Sequence, residues 1–345
     1  MTLRIGIGLF TGQIPAGSAR TFAQEYRETL ELVHLAESLG FDSAWVSEHH
    51  GSSDGYLPSL LPMLAAFAAV TERIELGTGI VLTPFHEPLR LAEDAAVVDQ
   101  LSDGRLILGL GIGWREEEFR MFGVPMRERA QRTAETVEVL RRAWTGRRFS
   151  FEGATMRYDR VKVTPVPART GGPRIFLGGY DDRAVRRAGR MADGYITDAT
   201  EPDDLRRALE VLDEGARGVG REPRSLALAL TQNVFPWRGG DHWDLLREGL
   251  TQQLGAYSAW EEGHDTPERD ELTPALADEG ETRRWTFAGE PEKVVAALRS
   301  MVTKHADRDE LHLVVRLHYP GMDLATAARA TELFASDVMP ALRAT

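Results

Sequence analysis

A chain of 345 residues, 42% of them hydrophobic, is long enough to bury one large core, and single α/β barrels routinely exceed about 250 residues. Its net charge of −12, from 41 basic and 53 acidic residues, disfavours a nucleic-acid backbone or an anionic membrane as a partner. The absence of cysteine excludes disulfides, thiolate metal sites and a thiol nucleophile.

The N-terminal residues predict a first strand over residues 4–10, where apolar and small residues follow one another. They contain neither a basic region followed by a cleavage site nor an apolar stretch long enough to cross a bilayer. We therefore expect a cytoplasmic protein.

Short β-branched runs then alternate with amphipathic segments, a pattern typical of right-handed βαβ units and a parallel sheet. The first amphipathic segment ends at Gly40, since glycine is favoured just past a helix C-terminus. The eight predicted strands cover residues 4–10, 43–50, 74–82, 105–112, 174–177, 194–197, 226–235 and 311–319. The sequence therefore predicts a (β/α)8 TIM barrel that forms a single domain over residues 1–345.

Two segments depart from this alternation. Residues 149–163 alternate around Glu152-Gly153 and predict an antiparallel hairpin that decorates the barrel. Residues 236–285 combine an aromatic-rich stretch with an acidic run, and long segments at the catalytic face commonly act as lids or substrate walls. A helix packed on the barrel and followed by a solvated connector is the open alternative for this insertion.

The second predicted strand ends in Glu48, His49 and His50, at the end where parallel α/β enzymes keep their active sites. Strand alternation places His49 on the face opposite to Glu48 and His50. Imidazoles titrate near neutral pH and exchange protons with substrates, so His49 is the candidate catalytic residue. The alternative is a histidine bonded to a backbone carbonyl or to Asp54.

Glycines recur on two neighbouring strands. Gly109, Gly111 and Gly113 share one face of the fourth predicted strand, and Gly77 and Gly79 share one face of the third. We expect a flat wall without side chains, against which a planar ring system would fit. Alternation of small and large residues within the barrel layers is the competing explanation.

The fifth predicted strand runs through Gly178, Gly179 and Tyr180 directly into a helix. Free backbone N–H groups and the positive end of the helix dipole favour a phosphate at such a turn. An ordinary glycine turn, with Asp181 or Asp182 as the helix cap, is equally consistent with these residues.

Together these segments resemble the bacterial luciferase-like, flavin-dependent oxidoreductases, which carry similar Glu-His-His, Gly-Thr-Gly and Gly-Arg-Leu-Ile-Leu-Gly segments in this order. The resemblance spans nearly the whole chain. It implies a non-proline cis peptide between Gly79 and Ile80 under the flavin ring. It also implies ring contacts from Thr78 and Gly111, flavin phosphate contacts from Gly178, Gly179 and Tyr180, and a catalytic role for His49.

The function that this resemblance implies is a monooxygenase that uses reduced FMN and O2 to oxidise a small organic substrate, such as an aldehyde, an alkane or a heteroatom compound. A separate flavin reductase would supply the reduced FMN, because nothing in the chain resembles a nicotinamide domain. Relatives usually form homodimers through the helices after strands two and three. Leu60, Leu61, Leu64 and Phe67 are the candidate dimer surface, and packing of that helix on the barrel is the alternative.

Three other functions stay open. The first keeps the fold and uses a deazaflavin, coenzyme F420, to transfer hydride without oxygen. The second is a metal-dependent barrel hydrolase. Neighbouring residues of a strand, such as His49 and His50, point to opposite faces and cannot easily bind one ion, so no metal is expected. The third is a non-catalytic flavin-binding homologue. The hydrolase would use His49, His50, Asp198 and His318 as ligands, and the weaker candidates for substrate contacts are Asp198, Gln232, Asn233 and His318.

Overall fold

The computed structural model of the protein describes residues 1–198, 202–239, 242–261 and 283–344. Within these ranges the strands are β1 Thr2–Phe10, β2 Ser43–Val46, β3 Glu75–Thr78, β4 Val81–Leu82, β5 Leu106–Gly111, β6 Phe149–Glu152, β7 Arg157–Val161, β8 Arg174–Gly178, β9 Gly194–Thr197, β10 Ala227–Pro236, β11 Thr286–Gly289 and β12 Glu310–Arg316.

The helices of the same ranges are α1 Phe22–Ser38, α2 Leu60–Val70, α3 Pro88–Leu101, α4 Glu116–Phe122, α5 Arg129–Ala143, α6 Asp182–Met191, α7 Pro202–Arg217, α8 His242–Glu261, α9 Pro291–Lys304, α10 Leu324–Leu333 and α11 Met339–Arg343. Several begin with a side-chain cap, which satisfies backbone N–H groups that have no intrahelical acceptor. Thr21 accepts from the backbone N–H of Gln24 at the start of α1, and Glu87 accepts from that of Arg90 at the start of α3.

The strands have the connectivity of a (β/α)8 TIM barrel, as predicted. Their order is β11-β10-β12-β1-β2-β3-β5-β8-β9, and β9 pairs with β10 to complete a ring of eight. The pairs with a defined register in this ring are parallel, for example Ile5 beside Leu313 and Leu110 beside Leu177. Strand β5 is buried along its whole length, which is typical of parallel strands covered on both faces.

The chain forms two compact units. The first consists of the described residues of 1–45, 49–58 and 230–345, and the second of those of 46–48 and 59–229. In the first unit, β1 and β12 bury Ile5, Ile7 and Leu313 completely. In the second unit, β5 and β8 bury Leu108 and Phe176 completely.

Some predicted boundaries are wrong by a few residues. The second strand ends at Val46 and not at residue 50, and the predicted strand 74–82 divides into β3 and β4. The Gly79–Ile80 peptide between them is cis, as predicted. The hairpin is confirmed, since β6 and β7 pair antiparallel. The eighth strand ends at Arg316, three residues early, where the backbone turns into the loop before α10.

One strand was not predicted. Residues Thr286–Gly289 form β11, which pairs parallel with the end of β10 outside the ring of eight. The segment has four residues and includes an alanine and a glycine, so it carries little of the β-branched pattern by which strands are identified. The predicted insertion 236–285 contains α8, and its residues 240–241 and 262–282 lie outside the described residues.

Candidate active site

His49 lies in the loop after β2 and is only 5% exposed. Its backbone N–H donates to the carbonyl of Leu57 at 3.4 Å. Three aromatic rings surround its imidazole, with centroid distances of 4.8 Å to Tyr56, 4.7 Å to Trp260 and 5.5 Å to Tyr257. The imidazole therefore lies in a largely apolar environment within the first unit, and two of the three rings come from α8.

Asp54 connects the loop that carries His49 to two other segments of the first unit. Its Oδ2 accepts from Gln13 Nε2 at 2.6 Å and from Gln252 Nε2 at 3.0 Å. Its Oδ1 accepts from the hydroxyl of Ser52 and from the backbone N–H of Tyr56. Because Gln13 follows β1 and Gln252 lies in α8, this buried carboxylate holds three segments together.

Glu48 has neighbours different from those of His49, although both residues lie in the loop after β2, beyond the end of the strand at Val46. Its Oε1 is 3.0 Å from His86 Nε2, and its Oε2 accepts from the backbone N–H of Leu82 at 3.3 Å. Burial acts to lower the pKa of His86, but the hydrogen bond and the charge of Glu48 outweigh it and raise that pKa above its usual value. Glu48 and His86 therefore form an ion pair within the second unit.

The wall of glycines is close-packed and is not free of side chains, which corrects the expectation. A Cβ at Gly109 would lie 2.0 Å from the carbonyl oxygen of Thr78, whose hydroxyl donates to the Gly109 carbonyl at 2.8 Å. A Cβ at Gly111 would lie 1.7 Å from Ile80 Cδ1. These glycines are thus required by the approach of the neighbouring strand, and the side chain of Ile80 covers Gly111.

The surface above this packing is small and apolar. Gly79 and Ile80 are half-buried, although the residues on both sides of them are buried. Gly178 is also half-buried, and a Cβ built on it would lie 3.5 Å from Ile80 Cγ2. Ile80 and Gly178 approach each other across β5, which lies between β4 and β8. With Gly79 they form a patch that we call the Ile80 ledge, defined as Gly79, Ile80 and Gly178.

The turn after β8 leads into α6, and Asp181 caps this helix. Its Oδ1 accepts from the backbone N–H groups of Arg183 at 2.9 Å and of Ala184 at 3.0 Å. These two groups are therefore already bonded. The backbone N–H groups of Gly179 and Tyr180 have no acceptor within the described chain.

Positive charge is available next to this turn. Arg183 and Arg187 are one turn apart on α6, and neither is within 4.0 Å of a carboxylate in the part of the chain that the structure covers. Burial lowers the pKa of Arg187, although the nearby Asp181 acts to raise it. The turn thus offers N–H donors and cations, as an anion requires.

The weaker candidates have other partners. Asp198 accepts from the hydroxyl of Tyr180. Gln232 donates to the backbone carbonyls of Asn233 and Trp285, which ties β10 to the residue before β11. His318 Nε2 is 3.7 Å from a carboxylate oxygen of Glu25.

The residues assigned to a metal-dependent hydrolase do not form a metal site. Among the described residues, none of His49, His50, Asp198 and His318 belongs to a group of three ligand side chains close enough to share one ion. The hydrolase interpretation is therefore not supported by the geometry.

The candidate dimer surface on α2 is wrong. Leu60, Leu61, Leu64 and Phe67 are all buried within the single chain, because this face of α2 packs against the body of the second unit. These side chains cannot supply an exposed interface. The homodimer itself stays a prediction.

Sequence reasoning missed the aromatic neighbours of His49 and the bonds to Asp54. Tyr257 and Trp260 are more than 200 positions from His49, so no local pattern connects them. The available signal was the spacing of three in one helix, which places both side chains on one face.

No described helix is both long enough and apolar enough to cross a membrane.

Comparison with known proteins identifies relatives along almost the whole chain. The family model described as luciferase-like monooxygenase matches residues 3–308. The F420-dependent glucose-6-phosphate dehydrogenase of Intrasporangium calvum is 32% identical, and the match covers 92% of this chain and 95% of that protein. The protein of the same name from Beutenbergia cavernae is 33% identical, with 95% and 96% covered.

A solved structure is similar as well. The monooxygenase RslO1 from Streptomyces bottropensis is 26% identical and has a TM-score of 0.81, and the match covers 98% of this chain and 99% of that one. The likeness supports the barrel fold along its whole length.

Proposed function

The chain belongs to the luciferase-like monooxygenase family, and we propose that it is a coenzyme F420-dependent oxidoreductase that moves a hydride between an organic substrate and the coenzyme. One observation carries this proposal. Relatives that are 32% and 33% identical over more than nine tenths of the chain are F420-dependent dehydrogenases. The relatives are oxidoreductases, and the use of coenzyme F420 by this chain is what we propose.

The expectation of a monooxygenase using reduced FMN is wrong, because these relatives use coenzyme F420. The similarity to a monooxygenase structure is at lower identity, 26%, and it does not outweigh them. The sequence could not separate the two coenzymes, because both were expected to use the same glycine segments, cis peptide and phosphate turn. The partner reductase and the oxygen belonged to that interpretation and are not part of the present proposal.

The second unit has surfaces that fit the ring and the phosphate of such a coenzyme. The Ile80 ledge is apolar, half-exposed and bordered by glycine, so a flat heterocycle could rest on it without displacing a side chain. The turn after β8 has unbonded N–H groups at Gly179 and Tyr180, with Arg183 and Arg187 beside it. Gly79 and Ile80 would contact the ring, and Thr78 and Gly111 are buried behind them and would support that surface. Gly178, Gly179 and Tyr180 would hold the phosphate.

Coenzyme F420, when bound, would supply the hydride acceptor or donor. In the oxidative direction, His49 would accept the proton that an alcohol oxygen releases as its carbon loses the hydride, which leaves a carbonyl product. The rings of Tyr56, Tyr257 and Trp260 would keep water away from this proton transfer, since they already surround the imidazole. We propose that α8 forms a wall of the substrate site for this reason.

An anaerobic turnover assay tests the function. We expect oxidised coenzyme F420 to be reduced by one member of a panel of alcohols and sugar phosphates, with glucose 6-phosphate as the first substrate because the relatives are named for it. The matched control is the same mixture with FMN in place of F420. Oxygen uptake with reduced FMN, together with no reduction of F420 by any substrate, would contradict the proposal.

A further inference from the structure

The guanidinium of Arg316 is a buried cation with no counterion among the described residues. Arg316 is the last residue of β12 and is 6% exposed. Its Nη1 is buried and has no hydrogen-bond partner, and no carboxylate of the described chain lies within 4.0 Å of it. A buried charge with no partner is strongly unfavourable, so this arrangement calls for a ligand that supplies the missing negative charge.

Strand alternation shows which way Arg316 points. It shares a face of β12 with Val314 and His312, two and four positions before it. The ring of His312 contacts the ring of Trp45 on β2 edge-on, at a centroid distance of 6.0 Å. In a barrel, side chains of alternate strands meet in the interior, and β12 and β2 are separated by β1. Arg316 therefore faces the interior, at the C-terminal end of its strand, where barrel enzymes bind substrates.

The charged groups that the structure describes near Arg316 are Arg20, Glu25 and His318, and none of them pairs with it. Arg20 is bonded to Glu25 at 2.8 Å and to Glu28 at 2.6 Å, so these two carboxylates already have a cation. Burial lowers the pKa of His318, and the charge of Arg316 lowers it further, whereas Glu25 acts to raise it. Burial therefore disfavours a positive charge on His318.

The backbone at Arg316 is fixed. The hydroxyl of the fully buried Tyr319 donates to the carbonyl of Arg316 at 3.1 Å and to that of Val234 on β10 at 3.2 Å. Burial raises the pKa of Tyr319, so the phenol keeps the proton that it donates. This holds the arginine in place before any ligand arrives, and a pre-organised site loses less conformational freedom on binding.

We propose that Arg316 binds an oxyanion, a carboxylate or a phosphate, carried by the substrate of this enzyme. The planar guanidinium matches the two oxygens of such a group and binds them with two parallel hydrogen bonds. A chain with a net charge of −12 repels anions on average, so an anionic substrate needs a local cation of this kind. The inference rests on the proposed function in one respect, namely that the ligand is the substrate of the hydride transfer.

The test measures anion binding to the coenzyme-free protein by thermal unfolding at constant ionic strength. Inorganic phosphate and acetate are the two probes, and the one that raises the melting temperature identifies the oxyanion. We expect Arg316→Met to weaken binding of that anion about 10- to 100-fold. Arg316→Lys should weaken it less, because lysine keeps the positive charge but cannot form the two parallel hydrogen bonds of the guanidinium. The control is Arg206→Gln, which removes an exposed charge on α7 and should leave anion binding unchanged.

A second readout separates ligand binding from a structural role. Without anion, Arg316→Met should melt at the same temperature as the wild type or higher, because it removes an uncompensated buried charge. A lower melting temperature would show that Arg316 stabilises the fold and would overturn the proposal. So would equal anion affinity in the wild type and Arg316→Met, or no binding of either anion by the wild type.

Titration of the wild type with coenzyme F420 distinguishes this proposal from the proposed function. A protein that binds an oxyanion through Arg316 and does not bind the coenzyme retains the inference about an anionic ligand and loses the dehydrogenase. A protein that binds the coenzyme and no oxyanion retains the dehydrogenase and loses the anion site.

Discussion

A histidine surrounded by three aromatic rings is well suited to a single proton transfer. His49 has little contact with water, so a proton that it accepts would come from a bound substrate. Its place after β2 could be predicted from the sequence, because a polar run follows an apolar strand there. Its neighbours Tyr257 and Trp260 could not be predicted, because tertiary packing of a distant helix brings them to it.

We expect His49→Gln to lower kcat for hydride transfer by about 10²- to 10⁴-fold, the usual contribution of a general base. The dissociation constant for coenzyme F420 should change little, since the proposed ring and phosphate contacts lie elsewhere. Stopped-flow reduction of the coenzyme and an equilibrium titration measure the two quantities. His34→Gln, at an exposed position of α1, is the control. Unchanged turnover in His49→Gln would remove this residue from the mechanism.

The glycine at position 111 gives a second test at the scale of single residues. Gly111→Ala should destabilise the fold by about 1–3 kcal/mol, because the new Cβ would overlap with Ile80 Cδ1. Ile80→Ala in the same chain should restore part of that loss, since it removes the overlapping atoms. Urea unfolding measures both, and Gly178→Ala is the control because its Cβ would meet no atom closer than 3.5 Å. Additive losses in the double variant would contradict the packing described for this pair.

Among the secondary-structure elements, an ion pair and a hydrogen bond connect the segments that carry the candidate residues to other elements. Within the second unit, Glu48 and His86 join the loop after β2 to the segment after β4. Within the first unit, Asp54 and Gln252 join the loop that carries His49 to α8. Neither bond could be predicted, because each joins residues far apart in sequence whose local patterns indicate only a loop or a helix.

The Glu48–His86 pair predicts a stability that depends on pH. Since the folded-state pKa of His86 is raised, the contribution of the pair is complete below the unfolded-state value near 6.5 and is lost as the pH rises through the folded-state value. Glu48→Gln should therefore destabilise the protein at pH 6, by roughly 1.5–3 kcal/mol, and by less at pH 9. Melting temperatures of wild type and variant at both pH values test this. A difference that stays constant or widens with rising pH would be the opposite of this expectation.

Helix α8 should loosen when its bond to Asp54 is removed. Gln252→Leu takes one donor from a buried carboxylate, which we expect to cost about 1–3 kcal/mol. Hydrogen exchange in Leu250–Trp260 should become faster, while exchange in α5, in the other unit, should stay the same. Unchanged protection of α8 would mean that aromatic packing alone holds this helix beside His49.

At the scale of the whole molecule, the barrel is the feature that the sequence predicts best. Its alternation of strands and helices repeats around the ring, so an error of three or four residues at one boundary, as at β12 or β2, leaves the topology intact. The short β11 was missed because it lies outside this repeat. The glycines of β5 correctly indicated that another group lies close to the strand. They did not identify that group, because a pattern of glycines does not say whether a ligand or Ile80 takes the space.

The prediction of FMN as the coenzyme was the largest error, and it has a physical reason. A barrel of this family was expected to bind FMN and F420 on the same ledge and at the same turn, so these segments do not discriminate between the two. Similarity over the full length of the chain discriminates better, because it also includes the loops and α8. Those segments are where we place the substrate.

An equilibrium titration of the purified protein with oxidised coenzyme F420 and, separately, with FMN shows which of the two coenzymes the protein binds. Quenching of tryptophan fluorescence would report binding of either compound. We expect saturable binding of F420 at least tenfold tighter than that of FMN, which corresponds to about 1.4 kcal/mol. We also expect Gly178→Ala to bind F420 more weakly at an unchanged melting temperature. Tighter binding of FMN than of F420 by the wild-type protein would contradict the proposed use of coenzyme F420.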